Sequence, residues 1–467
     1  MGWRIFQLDV KSAFLNDYLE KNVYVEQAMS FFFIKGQEEK LLKLKKTLYG
    51  LKQAPRAWNR CIDKYFQDNG FVRCQHEYAL YVKKFNNSEI LLVCLYVDDI
   101  IFIENNQNLF EDFNKVMSCE FEMTDIRLMS YYLGLEVKQM NNDIFVSQES
   151  YAKVLEKFKM FDCNPVNTPM EGSLKLSRFD SGEKEDPTLF KSLVGSLRYL
   201  TSTRPDIMYA VGVVCYFMES PTSTHMKTSK RILHYLKDTL DFDLFYSSSK
   251  EFKLMGICDS DFVGDVNDRK GTTSFVVVLL LGTQKSKPLL HSTCEAEYVV
   301  ATSCTCQAIW LRRLLKEFNN NQEESTKIHI DNKSTQVLAK NLVFHERSTH
   351  RDTRYHFIKE CIVKKEVELV HVKTQDQVAN IFIKSPKFED FRRLRARLGI
   401  QNFLIMKGYI IFIYQTSLRV AIFSWTHCDF SLGDRFSKGA HFGMLPAHYT
   451  AYIKLLNSLW TWFVSYT

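Results

Sequence analysis

Two adjacent carboxylates stand between two strongly apolar runs, and this pattern constrains the fold more than any other feature of the chain. Asp98 and Asp99 follow the run 90–95 and precede the run 100–103. Apolar runs of this length around a polar turn predict two buried strands. Carboxylates in so apolar a setting are costly unless a cation or a partner neutralises them. Short polar side chains also bond their own backbone in simple turns, so the pair alone leaves both a turn and a metal site open.

A third carboxylate, Asp9, lies far upstream, where a short apolar strand ends and a helix can begin. Together Asp9, Asp98 and Asp99 make a candidate two-metal site. Phe14 follows Asp9 by five residues, and an aromatic ring there can stand under an incoming sugar. Such a ring would clash with a 2′-hydroxyl, the group that distinguishes ribose from deoxyribose. The pattern therefore favours a site for deoxynucleotides.

A third block, residues 43–58, mixes five cations with aromatic rings around a turn bounded by Gly50 and Pro55. Cations position phosphates, and flat rings stack on bases. The candidate nucleotide-binding or template-binding residues in this block are Gly50, Lys52, Gln53 and Arg56. The block predicts a nucleic-acid contact next to the carboxylates.

Further carboxylates end separate elements in the second half of the chain. Asp259 follows an apolar strand, Asp331 follows an alternating strand, and Glu297 lies in a long predicted helix. Ser292 and Glu295 match a capping box that opens this helix. Capping explains Glu295, so Glu297 is the better candidate ligand. Taken singly, each of these acids is more typical of a surface or cap residue.

Several long motifs in the right order resemble the copia-type LTR retrotransposon Pol polyprotein, in its reverse transcriptase and RNase H part. The motifs include residues 6–11, 48–58, 96–99 and 132–137. The resemblance implies that Asp9, Asp98 and Asp99 bind two metal ions, that Phe14 is the sugar gate, and that the turn from Gly50 to Pro55 lines the nucleotide and template pocket. It also implies that the turn containing Gly134 grips the primer, and that Asp259, Glu297 and Asp331 are catalytic in a nuclease domain.

The resemblance implies an α/β (α+β) chain. We expect a polymerase palm and thumb at 1–137, with an antiparallel sheet and helices, and a helical connection at 138–250. An RNase H-like domain at 251–398 would contain a mixed sheet with flanking helices, and a tail of unassigned structure would follow at 399–467. Within the connection, residues 193–214 predict a helix pair broken at Arg204 and Pro205.

Two-metal phosphoryl transfer is the chemistry that these carboxylates suit. Both ions clamp the oxygens of an in-line transfer at about 3.5 to 4 Å from each other. Mg²⁺ prefers carboxylate and phosphate oxygens, and Mn²⁺ is the alternative ion. The expected partners are an RNA template, a DNA primer, an RNA–DNA hybrid and deoxynucleoside triphosphates.

Composition limits the remaining classes. The 467 residues are 46% hydrophobic and carry a formal charge of +7, which is only mildly basic, so local clusters indicate nucleic acid better than the total does. The 12 cysteines include no Cys-x-x-Cys, which favours a reducing compartment. The start lacks a signal peptide, and the run 275–281 is too short to span a bilayer. We expect a cytoplasmic retrotransposon particle, with the nucleus as the alternative, and no membrane.

Two departures from the family pattern qualify the expected activity. Asn380 stands where the pattern has the fourth metal-binding aspartate of the nuclease, and an amide lacks the negative charge. The chain begins almost on the first motif, so we expect the fingers to be largely missing. We therefore expect the isolated chain to have little or no polymerase activity, and a remnant or a nucleic-acid-binding fold without turnover is the alternative function.

Overall fold

The computed structural model divides the chain into two compact units, Met1–Met129 and Ser130–Thr467. It describes residues 4–26, 41–85, 89–104, 107–140, 143–148, 154–160, 162–172, 174–180, 182–247, 253–261, 271–277, 280–285, 292–340, 352–402 and 424–427. The tail predicted at 399–467 therefore lies mostly outside the described residues.

The described part of the first unit combines a six-stranded antiparallel sheet and a two-stranded one with two α-helices. Its elements are β1 (Arg4–Val10), β2 (Tyr24–Val25), β3 (Leu42–Lys43), α1 (Ala54–Asp68), β4 (Val72–Arg73), β5 (Leu80–Lys84), β6 (Ile90–Tyr96), β7 (Asp99–Glu104), α2 (Gln107–Glu120) and β8 (Met123–Leu128). Six strands pair in the order β4-β5-β6-β7-β1-β8, and β2 pairs with β3 separately. The hairpin predicted around Asp98 and Asp99 is confirmed.

Side-chain periodicity explains how this sheet meets its helices. Along α1, the buried residues Trp58, Ile62 and Phe66 recur every four positions, which places them on one face. On β6 the alternate residues Leu91 and Val93 belong to the same buried cluster, which also includes residues of α2. Proline at the first turn of α1 suits the helix start, because its missing N–H would have no partner there. The apolar core thus fixes β6 and β7 under α1.

The second unit contains two sheets and most of the helices. Its elements are β9 (Tyr131–Tyr132), β10 (Leu135–Gln139), β11 (Asp143–Ser147), α3 (Val154–Lys157), α4 (Pro187–Leu200), α5 (Met208–Cys215), α6 (Ser223–Lys237), β12 (Phe242–Ser247), β13 (Met255–Asp261), β14 (Thr272–Val277), β15 (Leu280–Lys285), α7 (Thr293–Glu317), β16 (Thr326–Ile330), α8 (Lys333–Lys340), α9 (Asp352–Val363), β17 (Val367–His371), α10 (Phe388–Arg397), β18 (Ile400–Asn402) and β19 (Ser424–His427). Short 3₁₀ helices at Pro205–Ile207, Thr374–Asp376 and Val378–Phe382 connect some of them.

The smaller sheet has the order β18-β12-β11-β10-β9 and is antiparallel throughout. The predicted helix break is confirmed, since α4 ends at Leu200 and α5 begins at Met208 after the 3₁₀ turn at Pro205. The segment predicted as helical also contributes β11 and β12. Their short runs gave a weaker periodic signal than the neighbouring helices. The four predicted segment boundaries stay predictions.

The larger sheet is mixed, with the order β17-β16-β13-β14-β15-β19. The pairs β13–β14 and β14–β15 are antiparallel, whereas β13–β16 and β16–β17 are parallel. Helix α7 packs so closely on β13 that a Cβ at Gly256 would lie 2.7 Å from the Cys304 sulfur. Only glycine therefore allows this approach. Within the described residues, no helix is long and apolar enough to cross a membrane.

Candidate functional site

The first carboxylate centre, Asp9, Asp98 and Asp99, lies at one end of β1 and β7. Asp9 and Asp99 are directly paired in the antiparallel register of these strands. The Val10 amide donates to the Asp98 carbonyl at 2.8 Å, which holds the β6–β7 turn against the end of β1. The structure thus brings Asp9 next to Asp98 and Asp99, which lie about ninety residues later in the sequence.

The three acids affect one another electrostatically. Burial raises the pKa of Asp9, and the charge of Asp98 raises it further, while Lys11 lowers it. Burial also raises the pKa of Asp99, against a hydrogen bond from Gln7 that lowers it, and Asp98 and Asp9 add to the rise. Like charges this close disfavour ionisation. A divalent cation would relieve the repulsion.

Two residues that orient this centre were not identified from sequence. The buried Gln7 donates from its amide nitrogen to Asp99 Oδ1 at 2.8 Å. Trp58 of α1 donates its indole N–H to the carbonyl of Val97, in the turn that carries Asp98. Val97 has a φ of 54°, which is strained for a β-branched residue. The position of Gln7 two residues before Asp9, on the same strand face, was the available signal.

The predicted nucleotide-binding residues converge in part. Phe14 packs against Tyr49 with ring centroids 4.8 Å apart, and Thr47 donates a hydrogen bond to the Phe14 carbonyl. Gly50 has a φ of 89°, so this turn requires glycine. The side chains of Lys52, Gln53 and Arg56 are exposed at the start of α1. The fold therefore connects the Phe14 motif to the basic block.

Gly134, predicted to grip the primer, lies between β9 and β10 with a φ of 81°. A Cβ at this position would lie 1.8 Å from the Tyr199 hydroxyl. That hydroxyl donates to the Leu133 carbonyl at 2.5 Å. Both the backbone conformation and the contact with Tyr199 of α4 therefore require glycine here.

The second carboxylate centre consists of Asp259, Glu297 and Asp331. Asp259 and Asp331 each lie two residues beyond Ile257 and His329, which are paired in the parallel register of β13 and β16. Parallel strands end at the same sheet edge, so the two acids face one edge. Glu297 of α7 accepts hydrogen bonds from the Asp331 and Asn332 amides, each at 3.1 Å. The predicted α7 cap is confirmed, with Ser292 accepting from the Glu295 amide.

Burial dominates the electrostatics of the second centre. It raises the pKa of Asp259 to about 8, with Asp331 adding to the rise and Lys384 opposing it. It raises the pKa of Glu297 to about 7, again with a contribution from Asp331, while the two backbone amides lower it. The influence of Lys384 was not anticipated from sequence. Perturbed acids grouped at one sheet edge are typical of functional sites.

Asn380, at the degenerate fourth position, is buried in the 3₁₀ helix Val378–Phe382. Its amide nitrogen donates to the Thr374 carbonyl at 2.7 Å, and its Oδ1 has no hydrogen-bond partner. Gln377 in the preceding turn donates to the Cys258 carbonyl at 2.9 Å, next to Asp259. An unpaired buried amide oxygen is costly. The hydrogen bond from Gln377 therefore holds this segment beside the second centre, while the Asn380 Oδ1 stays without a hydrogen-bond partner.

The donor chemistry of both centres fits a divalent cation. Each centre groups three carboxylates whose charges raise the pKa of a neighbour, and such oxygens are the ligands that Mg²⁺ prefers. Among the residues that the structure describes, no three His, Cys, Asp or Glu side chains form a ready ligand group.

Comparisons with known proteins identify the family of this chain. A family model described as reverse transcriptase (RNA-dependent DNA polymerase) matches residues 1–172. The putative transposon Ty5-1 protein of Saccharomyces cerevisiae is 31% identical over 306 residues, which cover 63% of this chain and 98% of that protein. The chain belongs to the copia-type retrotransposon Pol family. It carries the reverse transcriptase domain of these Pol polyproteins.

Two plant relatives extend the match over most of the chain. The retrovirus-related Pol polyprotein from transposon TNT 1-94 of Nicotiana tabacum is 33% identical over 85% of this chain and 31% of its own length. The one from transposon RE1 of Arabidopsis thaliana is 35% identical over 85% of this chain and 28% of its own length. The chain thus spans about a third of the Pol polyproteins that it matches.

Proposed function

We propose that this Pol chain synthesises DNA on an RNA template at the first carboxylate centre. The observation that carries the proposal is the register pairing of Asp9 with Asp99, with Asp98 held beside Val10. The antiparallel sheet under α1 and α2 would then be the palm. The ring of Phe14, beside Tyr49, would exclude a ribose 2′-hydroxyl. Exposed Lys52, Gln53 and Arg56 would contact the triphosphate and the template.

The second centre is proposed to hydrolyse the RNA strand of an RNA–DNA hybrid. Its support is the mixed sheet, in which β13 pairs antiparallel with β14 and parallel with β16, with Asp259, Glu297 and Asp331 at one edge. We assign this arrangement to the RNase H-like class. The backbone amides of Asp331 and Asn332 orient the Glu297 carboxylate, and a bound cation would offset the burial that raises the pKa of Asp259.

At each centre, two Mg²⁺ or Mn²⁺ ions when bound would neutralise the transferred phosphoryl group and activate the attacking oxygen. The protein's own residues hold and orient the carboxylates. Gln7 fixes one Asp99 oxygen, and Trp58 fixes the turn that carries Asp98. The proposed partners are the RNA template, DNA primer, hybrid and deoxynucleoside triphosphates. The proposed site of action is the cytoplasmic particle of the element.

The experiment pairs two assays on the purified chain with Mg²⁺, namely RNA-templated primer extension and cleavage of the RNA in a hybrid. The sequence departures predict weak extension by the wild-type chain; we expect Asp98→Asn/Asp99→Asn to abolish whatever extension it shows and leave RNA cleavage, and Asp259→Asn to abolish RNA cleavage alone. Asp112→Asn, an exposed acid on α2, is the matched control and should leave both activities intact. Activity that survives the centre variants would contradict the assignment, and a silent wild-type chain would support a nucleic-acid-binding fold without turnover.

A further inference from the structure

Residues around Met170 come before the larger sheet in the sequence and contact the turn at Ser385, which follows the 3₁₀ helix that contains Asn380. The Ser385 hydroxyl donates to the Met170 carbonyl at 2.8 Å. A Cβ at Gly172 would lie 3.3 Å from the Ser385 carbonyl, so the two backbones approach closely. Ser385 directly follows Lys384, whose charge acts on Asp259. Met170 and Gly172 therefore lie next to the residue that follows Lys384, although they belong to the part of the chain predicted as a connection.

Two ammonium groups stand at the rim of this centre. Lys384 and Lys175 both act electrostatically on Asp261, which follows Asp259 by two residues on β13 and so shares its strand face. Both lysine side chains are exposed to solvent. One comes from the turn before α10 and the other from the segment 165–180. Cations placed around an acidic centre and open to solvent can receive phosphates on either side of it.

A groove of about 620 Å³ continues this strip on the other side of Ser385. Its lining includes Gly172, Glu171, Arg231, Pro386, Lys387 and Phe388. Glu171 is paired with Arg231 at 3.0 Å, so its charge is compensated. Lys387 is exposed, and the ring of Phe388 is 40% exposed. The groove thus offers a cation, Lys387, and an aromatic surface, Phe388, close in sequence to Lys384.

At the opposite end of the segment, a rigid turn holds an aromatic ring in water. The Ser177 amide donates to Asp180 Oδ2 at 2.9 Å, and His225 Nε2 lies 3.0 Å from the Ser177 carbonyl. Thr222 donates its amide to His225 Nδ1, which leaves Nε2 as the donor to Ser177. Phe179 at the tip is 91% exposed. The Phe179 ring is therefore open to a partner that stacks on it, and covering it would contribute hydrophobic free energy.

We propose that residues 165–172 and 174–180, together with Lys384 and Lys387, form a substrate wall that holds the backbone of an RNA–DNA hybrid against the second centre. The lysines would contact phosphates, and Phe179 would stack on a base or sugar at the end of the bound stretch. Exposed cations and exposed rings beside the proposed phosphodiester chemistry favour nucleic acid over a protein partner. The inference rests on the nuclease activity proposed above.

Crosslinking tests the wall directly and separately from any binding in the first unit. Benzoylphenylalanine is placed at position 179 of the full chain, and in a control chain at position 189, where Leu189 of α4 is 47% exposed. Each chain is irradiated with a labelled RNA–DNA hybrid. We expect at least tenfold more adduct from position 179. Equal adduct from the two positions, with hybrid binding and RNA cleavage intact, would overturn the wall while leaving the nuclease proposal standing.

A charge series provides the second readout. Lys175→Gln/Lys384→Gln/Lys387→Gln is compared with Lys253→Gln/Lys316→Gln/Lys327→Gln, three exposed lysines away from the carboxylate edge. Fluorescence anisotropy with a labelled hybrid is measured over a range of salt concentrations. We expect the first variant to lower the log–log salt slope by about 2 to 3 and the control by less than about 1. Equal slopes would overturn the wall. Absence of saturable hybrid binding by the wild-type chain would overturn the nuclease proposal as well.

Discussion

At the residue scale, the first centre depends on the pair Gln7 and Asp99. Asp99 is partly buried beside two other acids, and the Gln7 amide is the group that stabilises its charged form. Gln7 Oε1 is buried without a partner, so the amide is held in one orientation by its nitrogen alone. A hydrogen bond to a charged group contributes about 1.5–3 kcal/mol. The protonation of Asp99 should therefore be sensitive to this one side chain.

Gln7→Met keeps the side-chain length and removes the donor. We expect the pKa of Asp99 to rise further, because its carboxylate loses a hydrogen bond while the charges of Asp9 and Asp98 remain. Mn²⁺ binding to the first centre should then fail at a higher pH as the solution is acidified. The check is the pH midpoint of Mn²⁺ binding, followed by electron paramagnetic resonance. Arg4→Met, at the exposed start of β1, is the control, and an unchanged midpoint in Gln7→Met would contradict the role of Gln7.

Asp259 makes the metal-free protein sensitive to alkaline pH. Its folded pKa of about 8 lies above the ordinary value for aspartate. The contribution of protonated Asp259 to the stability of the fold is thus complete below about pH 4 and is lost as the pH rises through about 8. Asp259→Asn carries no charge to bury. We expect it to be more stable than the wild type at about pH 9, by on the order of 2 kcal/mol, with little difference at about pH 4.

Thermal unfolding of the chelator-treated chains across this pH range measures the effect. Asp238→Asn, which changes an exposed acid at the end of α6, serves as the reference. Saturating Mg²⁺ should remove most of the advantage of Asp259→Asn, since a bound cation stabilises the wild-type carboxylate. Parallel stability curves for the wild type and Asp259→Asn would show that the acid is not held in this environment.

At the element scale, α1 holds the turn between β6 and β7. The N–H of Trp58 bonds the Val97 carbonyl, and its ring packs edge-on against Phe121 at 5.5 Å. Trp58→Phe keeps an aromatic ring and removes the donor. We expect faster hydrogen exchange at the Asp98 and Asp99 amides, and a stability loss of about 1 kcal/mol. Tyr65→Phe on the same helix removes a hydroxyl without a hydrogen-bond partner and is the control.

A buried polar network joins several elements of the second unit. Arg204 donates to Asp206 Oδ1 at 3.0 Å and to the Thr239 carbonyl at 2.6 Å. The Tyr235 hydroxyl donates to Asp206 Oδ2 at 2.5 Å, and it accepts from Arg395 of α10 at 2.8 Å. The network therefore joins the 3₁₀ turn at Pro205 to α6 and α10.

Arg204→Met leaves the Asp206 carboxylate buried without its partner. Breaking a buried pair in this way costs about 3–5 kcal/mol, whereas Arg392→Met, in an exposed pair with Glu389, should cost less than about 1 kcal/mol. Urea unfolding followed by the fluorescence of the second unit compares the two. Arg204→Met/Asp206→Leu should recover part of the loss. Equal costs for Arg204→Met and Arg392→Met would contradict the importance of the network.

At the scale of the whole molecule, local patterns predicted the elements that carry the carboxylates, because the aspartates border apolar or alternating runs typical of strands, and Glu297 lies in the helix that Ser292 caps. The hairpin at Asp98 and the α7 cap at Ser292 are examples. The residues that orient these acids or act on their charge were not predictable, because they come from distant parts of the sequence. Gln7 bonds Asp99 across paired strands, and Lys384 acts electrostatically on Asp259. The strands β11 and β12 were missed for a similar reason: their short runs become strands by pairing with distant partners.

The central claim is that the chain carries two separate divalent-cation centres, one in each unit. The most direct test is a Mn²⁺ titration of the full chain by isothermal calorimetry, with Asp98→Asn/Asp99→Asn and Asp259→Asn/Glu297→Gln as variants. The account predicts that each variant loses its own set of binding events and keeps those of the other centre. Loss of all binding in either variant, or unchanged binding in both, would contradict it.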